Sequence, residues 1–205
     1  MLHAITTDLV QHESKRDIEE HLMSSGLEFT ILQPANCMLR HRLMPAFEQG
    51  VFRLSWALDR RQSMVDVADV TDVAAAVHAD TARHWGATYE LASPGRYTAH
   101  DVAAVVSEVT GPEVTAEEID SEAFLKATLG VDNPDDAPYQ ARVLRAISAR
   151  YSSHDFVGNS NVHGWLLGRP PTTFREFVQR EFDPFLEAPV APAAPQARGP
   201  LAVPR

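Results

Sequence analysis

The sequence predicts an α/β fold in which the last strands of a parallel sheet lead into a mostly helical C-terminal lobe. Three observations predict it. Residues 11–38 read as a charged helix stopped at Gly26, a short apolar strand, and a loop opening at Gln33-Pro34. Two further apolar runs, 64–67 and 88–92, are each followed by helical patterning, the strand–helix alternation of parallel sheets. Beyond Gly111 the apolar residues recur mainly at helical spacing.

Taken in order, residues 2–5 fit the tail of a strand, and 8–11 approach the first helix. In that helix Ile18 and Leu22 lie four apart on one face, while Lys15, Arg16, Asp17, Glu19 and Glu20 cover the other. Gly26 supplies a left-handed stop. Residues 27–32 alternate little and carry Phe29, Thr30 and Ile31, as a strand buried on both faces does, and Pro34 ends it. Residues 38–64 are irregular, and a loop, a short helix near Ala46 and a hairpin are expected there. After the strand at 64–67, Asp69 is expected to cap a helix with Val73, Ala76 and Val77 as its buried stripe.

Gly86 precedes the strand at 88–92. Thr98 and Asp101 form a capping pair that opens a helix with Val102, Val105, Val106 and Val109 inward, closed at Gly111. A strand at 113–118, a helix at 121–129 ended by Gly130, and a break at 134–138 follow. Val143, Leu144, Ile147 and Tyr151 then repeat at helical spacing, and 162–167 form a short helical turn stopped by Gly168. Arg169-Pro170-Pro171 leads to a capping box at Thr173 and Glu176, opening a last helix with Phe174, Phe177, Val178 and Phe182. Proline and alanine dominate 188–205, which reads as a disordered tail.

Composition narrows the function classes. The chain has 205 residues, 44% of them hydrophobic, enough for a real core. Eighteen Lys and Arg against 28 Asp and Glu give a net charge of −10, which repels nucleic-acid backbones and anionic lipid. Cys37 is the sole cysteine, so no intramolecular disulfide forms, and a reducing cytoplasm is the expected home. Apolar runs are too short for a membrane span. The nine histidines show no HxH, HxxxH or HExxH spacing, so no metal site is expected. Ser153-His154-Asp155 offers the residue types of a nucleophilic relay, but sequence neighbours do not make one, and GxSxG is absent.

The glycines exclude a geometry. A turn that cradles phosphate needs glycines two or three apart so that backbone N–H groups can approach the anion. The ten glycines stand at 26, 50, 86, 95, 111, 130, 158, 164, 168 and 199, never closer than four apart. The unit at 11–38 belongs in the middle of a dinucleotide-binding sheet, yet no stretch preceding it can hold a strand, glycine turn and helix.

Several pieces together resemble the NmrA-like family of atypical short-chain dehydrogenase/reductase proteins. They are His12-Glu13-Ser14-Lys15 heading a helix, Ser25-Gly26-Leu27-Glu28-Phe29-Thr30-Ile31-Leu32-Gln33-Pro34, Val65-Asp66-Val67-Ala68-Asp69-Val70, Tyr89-Glu90-Leu91, and Leu167-Gly168-Arg169-Pro170-Pro171-Thr172-Thr173. Their order and spacing extend from residue 3 to about 182. The resemblance implies a partial Rossmann-like parallel sheet, its last strands only, with a mostly helical substrate lobe. Residues 1–95 would be the C-terminal part of the NAD(P)-binding domain, with an excursion into the substrate lobe at about 38–63. Residues 96–187 would be the helical lobe itself.

By the same resemblance Lys15 matches a lysine that holds ribose hydroxyls. The position of its partner tyrosine is Gln11, which has no ionisable proton to donate. His12 is one residue out of register for that role. Gln33, Pro34, Ala35 and Asn36 match the loop that passes beside the nicotinamide, and Cys37 and Met38 would line the substrate pocket. A cysteine in such a place is more often a packed small hydrophobe than a nucleophile. The cofactor implied is NAD(P), bound weakly or not at all by this chain alone, and the activity implied is NAD(P)H-dependent reduction of a small molecule. A redox-sensing regulatory protein without catalysis and a truncated, non-functional fragment are the alternatives. Either leaves an incomplete sheet that a second copy or a protein partner would cover.

Overall fold

The computed structural model describes residues 9–187, with side chains to Asp183. The strand expected at 2–5 and the tail at 188–205 lie outside the described residues. The first helix, α1, is Val10–Ser24, and it leads through Gly26, at φ +74°, into β1, Ile31–Pro34. β2 is Asn36–Met38, α2 Arg40–Gln49, β3 Val51–Leu54 and β4 Met64–Asp66. Then come α3 (Val67–Ala79), the single turn α4 (Thr81–His84), β5 (Thr88–Leu91), α5 (Ala99–Thr110) and β6 (Thr115–Glu118). Four helices complete the order: α6 (Ser121–Leu129), α7 (Pro138–Ser153), α8 (Asn161–Leu167) and α9 (Phe174–Glu187). A 3-10 turn, Pro134–Asp136, separates α6 from α7.

Every strand pair is parallel: β1 with β5, β2 with β4, and β3 with β6. Parallel pairs bury both faces under crossover helices, and Val65 and Leu91 are accordingly inaccessible. Around them Val73 of α3, Val106 of α5, and Phe174 and Val178 of α9 close the core at 2% exposure or less. The capping box at Thr98 and Asp101 forms in both directions, at 3.1 and 2.9 Å. Its counterpart at Thr173 and Glu176 does too, at 3.2 and 2.7 Å. Each satisfies helix N–H groups that have no intrahelical acceptor.

Four local expectations are corrected. Ile18 is 60% exposed, and the buried residue of α1 is His12, because the helix meets α7 and Phe156 through its first turns. Regular strand pairing begins at Ile31, not at 27, since Leu27 and Glu28 are exposed where the chain leaves Gly26. No hairpin forms among residues 38–64. β3 instead pairs in parallel with β6, a partner more than sixty residues away that local pattern does not reveal. Asp66, not Asp69, caps α3, accepting from the Ala68 amide at 3.1 Å, and Ala76 is exposed while Val73 and Val77 face inward.

Candidate active site

Residues 31–38 run extended and change partner midway. β1 pairs with β5 up to Pro34–Leu91, the Ala35 amide donates to the Leu91 carbonyl at 2.9 Å, and β2 then pairs with β4. The Ser93 amide donates to the Met64 carbonyl at 2.7 Å, so β5 and β4 converge just where the chain crosses from one to the other. Open α/β sheets place ligands beyond the carboxyl ends of their strands. At that end a small cleft of about 60 Å³ opens, walled by Asn36 to Met38, by Arg42 of α2, by Trp56 and Gln62 before β4, and by α5 and α9.

Several side chains of this wall are held in a chain of hydrogen bonds. The buried Tyr151 hydroxyl of α7 donates to Asn36 Oδ1 at 3.1 Å, and Asn36 Nδ2 donates to Gln62 Oε1 at 2.5 Å. Gln62 Nε2 is buried and has no hydrogen-bond partner among the described residues. Its backbone is fixed by reciprocal bonds with Tyr97, each 2.9 Å. Trp56 meets Tyr151 edge-on at 5.3 Å and carries the Arg42 guanidinium over its face at 5.8 Å. Burial pushes the Tyr151 phenol above its usual range, the Asn36 bond and nearby Arg42 opposing in part, so it is a protonated donor at neutral pH. Burial likewise raises the Cys37 thiol against the pull of Arg42, which leaves it protonated and a poor nucleophile.

The residues singled out by sequence divide. Asn36, Cys37 and Met38 line the cleft. Gln33, Pro34 and Ala35 do not; Gln33 is buried with its amide on both oxygens of Glu19, at 3.1 and 2.9 Å. Lys15 is on the exposed side of α1, away from the cleft lining. Gln11, standing where the resemblance expects a tyrosine, has a buried side-chain oxygen without a hydrogen-bond partner among the described residues. It can accept a hydrogen bond there but supplies no acid. Arg42, Trp56, Gln62 and Tyr151 had no sequence signal as a group; three stand in irregular or weakly patterned stretches, and Tyr151 reads simply as a core position.

Most left-handed glycines of the described residues, such as Gly50 and Gly130, end helices, Gly95 lies in the loop after β5, and no two stand close enough in sequence to make a glycine-rich turn. Among the described residues no glycine-rich turn offers a cradle for a dinucleotide's diphosphate. No group of three His, Cys, Asp or Glu side chains suited to a metal occurs among the described residues, and none of their helices is long and apolar enough to cross a membrane.

Comparison with known proteins gives the geometry its relatives. No family model matches the chain. Quinone oxidoreductase 2 of Escherichia coli (strain K12) is 29% identical over 185 residues, which are 89% of this chain and 63% of that protein. The crystal structure of an NADPH-dependent quinone oxidoreductase from E. coli superposes with a TM-score of 0.71 at 30% identity, covering 89% of this chain and 65% of that one. Citrobacter sp. triphenylmethane reductase, complexed with NADP(H), gives 0.71 at 20% identity, covering 88% and 62%. NmrA, a negative transcriptional regulator in complex with NADP, gives 0.61 at 14%, covering 83% and 57%; at these last two identities the likeness is one of fold. The chain thus spans less than two thirds of the length of these relatives. With its parallel strand pairs and its cleft at their carboxyl ends, the chain resembles the NmrA-like family of atypical short-chain dehydrogenase/reductase proteins over most of its own length.

Proposed function

We propose that this chain carries the substrate-side wall of an NAD(P)H-dependent reductase of small molecules. The observation that carries the reading is the mostly apolar cleft at the strand ends, with Asn36, Cys37 and Met38 on one wall and Trp56 and Phe174 on others. The E. coli quinone oxidoreductase relatives support it. NAD(P) is the proposed cofactor, its nicotinamide end near Gln33 to Asn36 and its ribose near Lys15. The acceptor oxygen of Gln11 suits a ligand hydroxyl or amide donor there. Bound there, the cofactor would supply hydride. The residues of this chain would seat the acceptor, exclude water with aromatic side chains and orient it through Gln62 and Asn36.

Because no diphosphate cradle is present in these residues, this polypeptide alone is expected to bind NADPH weakly or not at all. A titration following NADPH fluorescence tests this. Binding weaker than about 100 µM, or about −5.5 kcal/mol, is the expected result. Submicromolar binding by this polypeptide would overturn the proposal that the cradle lies outside it. A second reading, a regulatory or interaction protein without catalysis, is favoured by exposed apolar side chains on the β1 side of the molecule. Met23, Leu27 and Trp85 are 55%, 64% and 61% exposed. Native mass spectrometry showing a stable hetero-complex would support that reading over the enzymatic one.

A further inference from the structure

A polar depression of about 470 Å³ lies outside the cleft and shares no lining residue with it. Two loops wall it. Residues 93–96, leaving β5, supply Ser93, Gly95 and Arg96, and residues 158–161, entering α8, supply Gly158, Asn159, Ser160 and Asn161. Neither an Asp nor a Glu lines it, although the chain carries −10. The residues proposed to meet NAD(P), Lys15 and Gln33 to Asn36, are absent from its lining as well.

The two loops are fastened to each other through one buried side chain. Ser63 has no exposure; its hydroxyl accepts from the Gly158 amide at 3.0 Å and donates to the Gly95 carbonyl at 3.4 Å, while its own amide donates to the Phe156 carbonyl at 2.8 Å. Gly95 turns at φ +101°, where a Cβ would run into the Tyr97 ring. The walls are thus set before any ligand arrives, which lowers the ordering cost of binding.

These walls present donors. Arg96 is exposed and pairs with no carboxylate among the described residues. Its guanidinium is charged at any working pH and offers N–H groups in a fork that matches oxyanion geometry. On the other loop the Asn161 amide donates to Asn159 Oδ1 at 2.8 Å. A backbone N–H can only donate, so the carboxamide oxygen of Asn159 is taken and its Nδ2 donors are left for a ligand. The Ser160 hydroxyl stands beside them in the lining.

We propose that this depression is a binding site for a phosphate group, carried either by the free ion or by a small phosphomonoester. Arg96 supplies the charge from one loop, and Asn159 Nδ2 and the Ser160 hydroxyl donate from the other. A tetrahedral dianion has oxygens for both walls at once, whereas a planar carboxylate serves one donor fork. The site is independent of the reductase reading, and no bond is made or broken in it.

Its test is a proton–nitrogen NMR titration of the full chain at neutral pH, without nucleotide, with ionic strength held constant by sodium chloride. The probes are inorganic phosphate, glycerol 3-phosphate and acetate. Phosphate should shift the amide signals of residues 95–96 and 158–161 and the side-chain amide pair of Asn159, saturating with a Kd of about 1 mM or below, and acetate should bind at least about tenfold more weakly. Tighter binding of glycerol 3-phosphate than of the free ion assigns the site to phosphomonoesters, and the reverse order to inorganic phosphate; either supports the proposal. Arg96→Met should weaken phosphate by at least about tenfold. Asn159→Asp keeps an oxygen for the Asn161 amide but sets a negative atom where the donor was, and should weaken it by at least about as much. Lys126→Met removes an equal charge from α6, outside the lining, and should leave phosphate binding within about twofold. The spectral dispersion of each variant confirms that the fold is kept. Shifts that grow without saturating, saturable shifts confined to other residues, acetate binding as tight as phosphate, or an Arg96→Met variant indistinguishable from the wild type would each overturn the proposal. Failure of the NADPH titration would instead bear on the reductase reading, because these titrations contain no nucleotide.

Discussion

The Thr172 backbone amide donates to the buried carboxylate of Asp69 at 2.6 Å, across 103 residues of sequence. The Thr172 hydroxyl adds a bond at 3.1 Å, and the Arg169 guanidinium a third at 2.8 Å. Two short motifs, Val65 to Val70 and Leu167 to Thr173, thus meet as one clasp that fixes the start of α9 against α3. Asp66 does the same one turn earlier, receiving Arg180 of α9 at 2.6 and 3.3 Å. Because α9 supplies Phe174 and Phe177 to the cleft wall, the clasp also sets the shape of the candidate site.

Replacing Asp69 by Asn should cost about 1.5–3 kcal/mol at neutral pH, as expected for hydrogen bonds to a charged, buried acceptor. Burial alone would raise the Asp69 carboxyl, but the Thr172 amide, the Arg169 guanidinium and the Thr172 hydroxyl outweigh it and hold it below the usual carboxylate range. A depressed folded value means that the stabilisation is fully present above the ordinary aspartate range and is lost as pH falls through the folded value. Urea denaturation of wild type and variant at a series of pH values checks this. The gap between the two curves should close at acid pH and not at alkaline pH.

Tyr151→Phe removes the hydroxyl that orients Asn36 while keeping the ring against Trp56. A loss of about 0.5–1.5 kcal/mol in stability is expected. Asn36 then loses the donor that orients it towards Gln62. Unchanged stability in a urea denaturation of this variant would remove Tyr151 from the network that lines the cleft.

Cys37 should react slowly with iodoacetamide at neutral pH, its rate climbing only above the ordinary thiol range. Burial is what suppresses the thiolate. Rates measured against pH by mass spectrometry, with a free cysteine peptide as the standard, give the comparison. A rate at or above that of the peptide at neutral pH would show an activated thiol.

Gly50 and Gly26 both have left-handed backbones, at φ +68° and +74°, but differ in their surroundings. A Cβ at position 50 would come 3.0 Å from the Glu113 carbonyl oxygen, whereas one at 26 would meet nothing within 4 Å. Gly26→Ala should cost only the left-handed penalty, about 1–2 kcal/mol, and Gly50→Ala measurably more. Thermal melts of the two variants should rank in that order; an inverted ranking would contradict the close approach of β3 and β6 at Gly50.

The local chemistry of this chain was legible residue by residue. Gly26, Gly111, Gly130 and Gly168 mark helix ends because a left-handed turn favours glycine, and Thr98, Asp101, Thr173 and Glu176 form capping boxes because they sit beside the N–H groups they satisfy. Such interactions span a few residues, so their sequence signature is complete. The spacing of Ile18 and Leu22 misleads for the complementary reason: it identifies an apolar face but not what lies opposite, and the face of α1 that packs is the one bearing His12.

The sequence by itself determined the α/β class, the helix boundaries set by glycine and capping residues, and the absence of closely spaced glycines, all of which depend on neighbours along the chain. Only the tertiary structure decided that β3 pairs with β6, that Asp69 anchors Thr172 and Arg169 instead of capping its helix, and that Arg42, Gln62 and Tyr151 share one cleft. Those relationships join residues dozens of positions apart. Their energy comes from desolvation and bond geometry at a distance, which no local pattern of residues encodes.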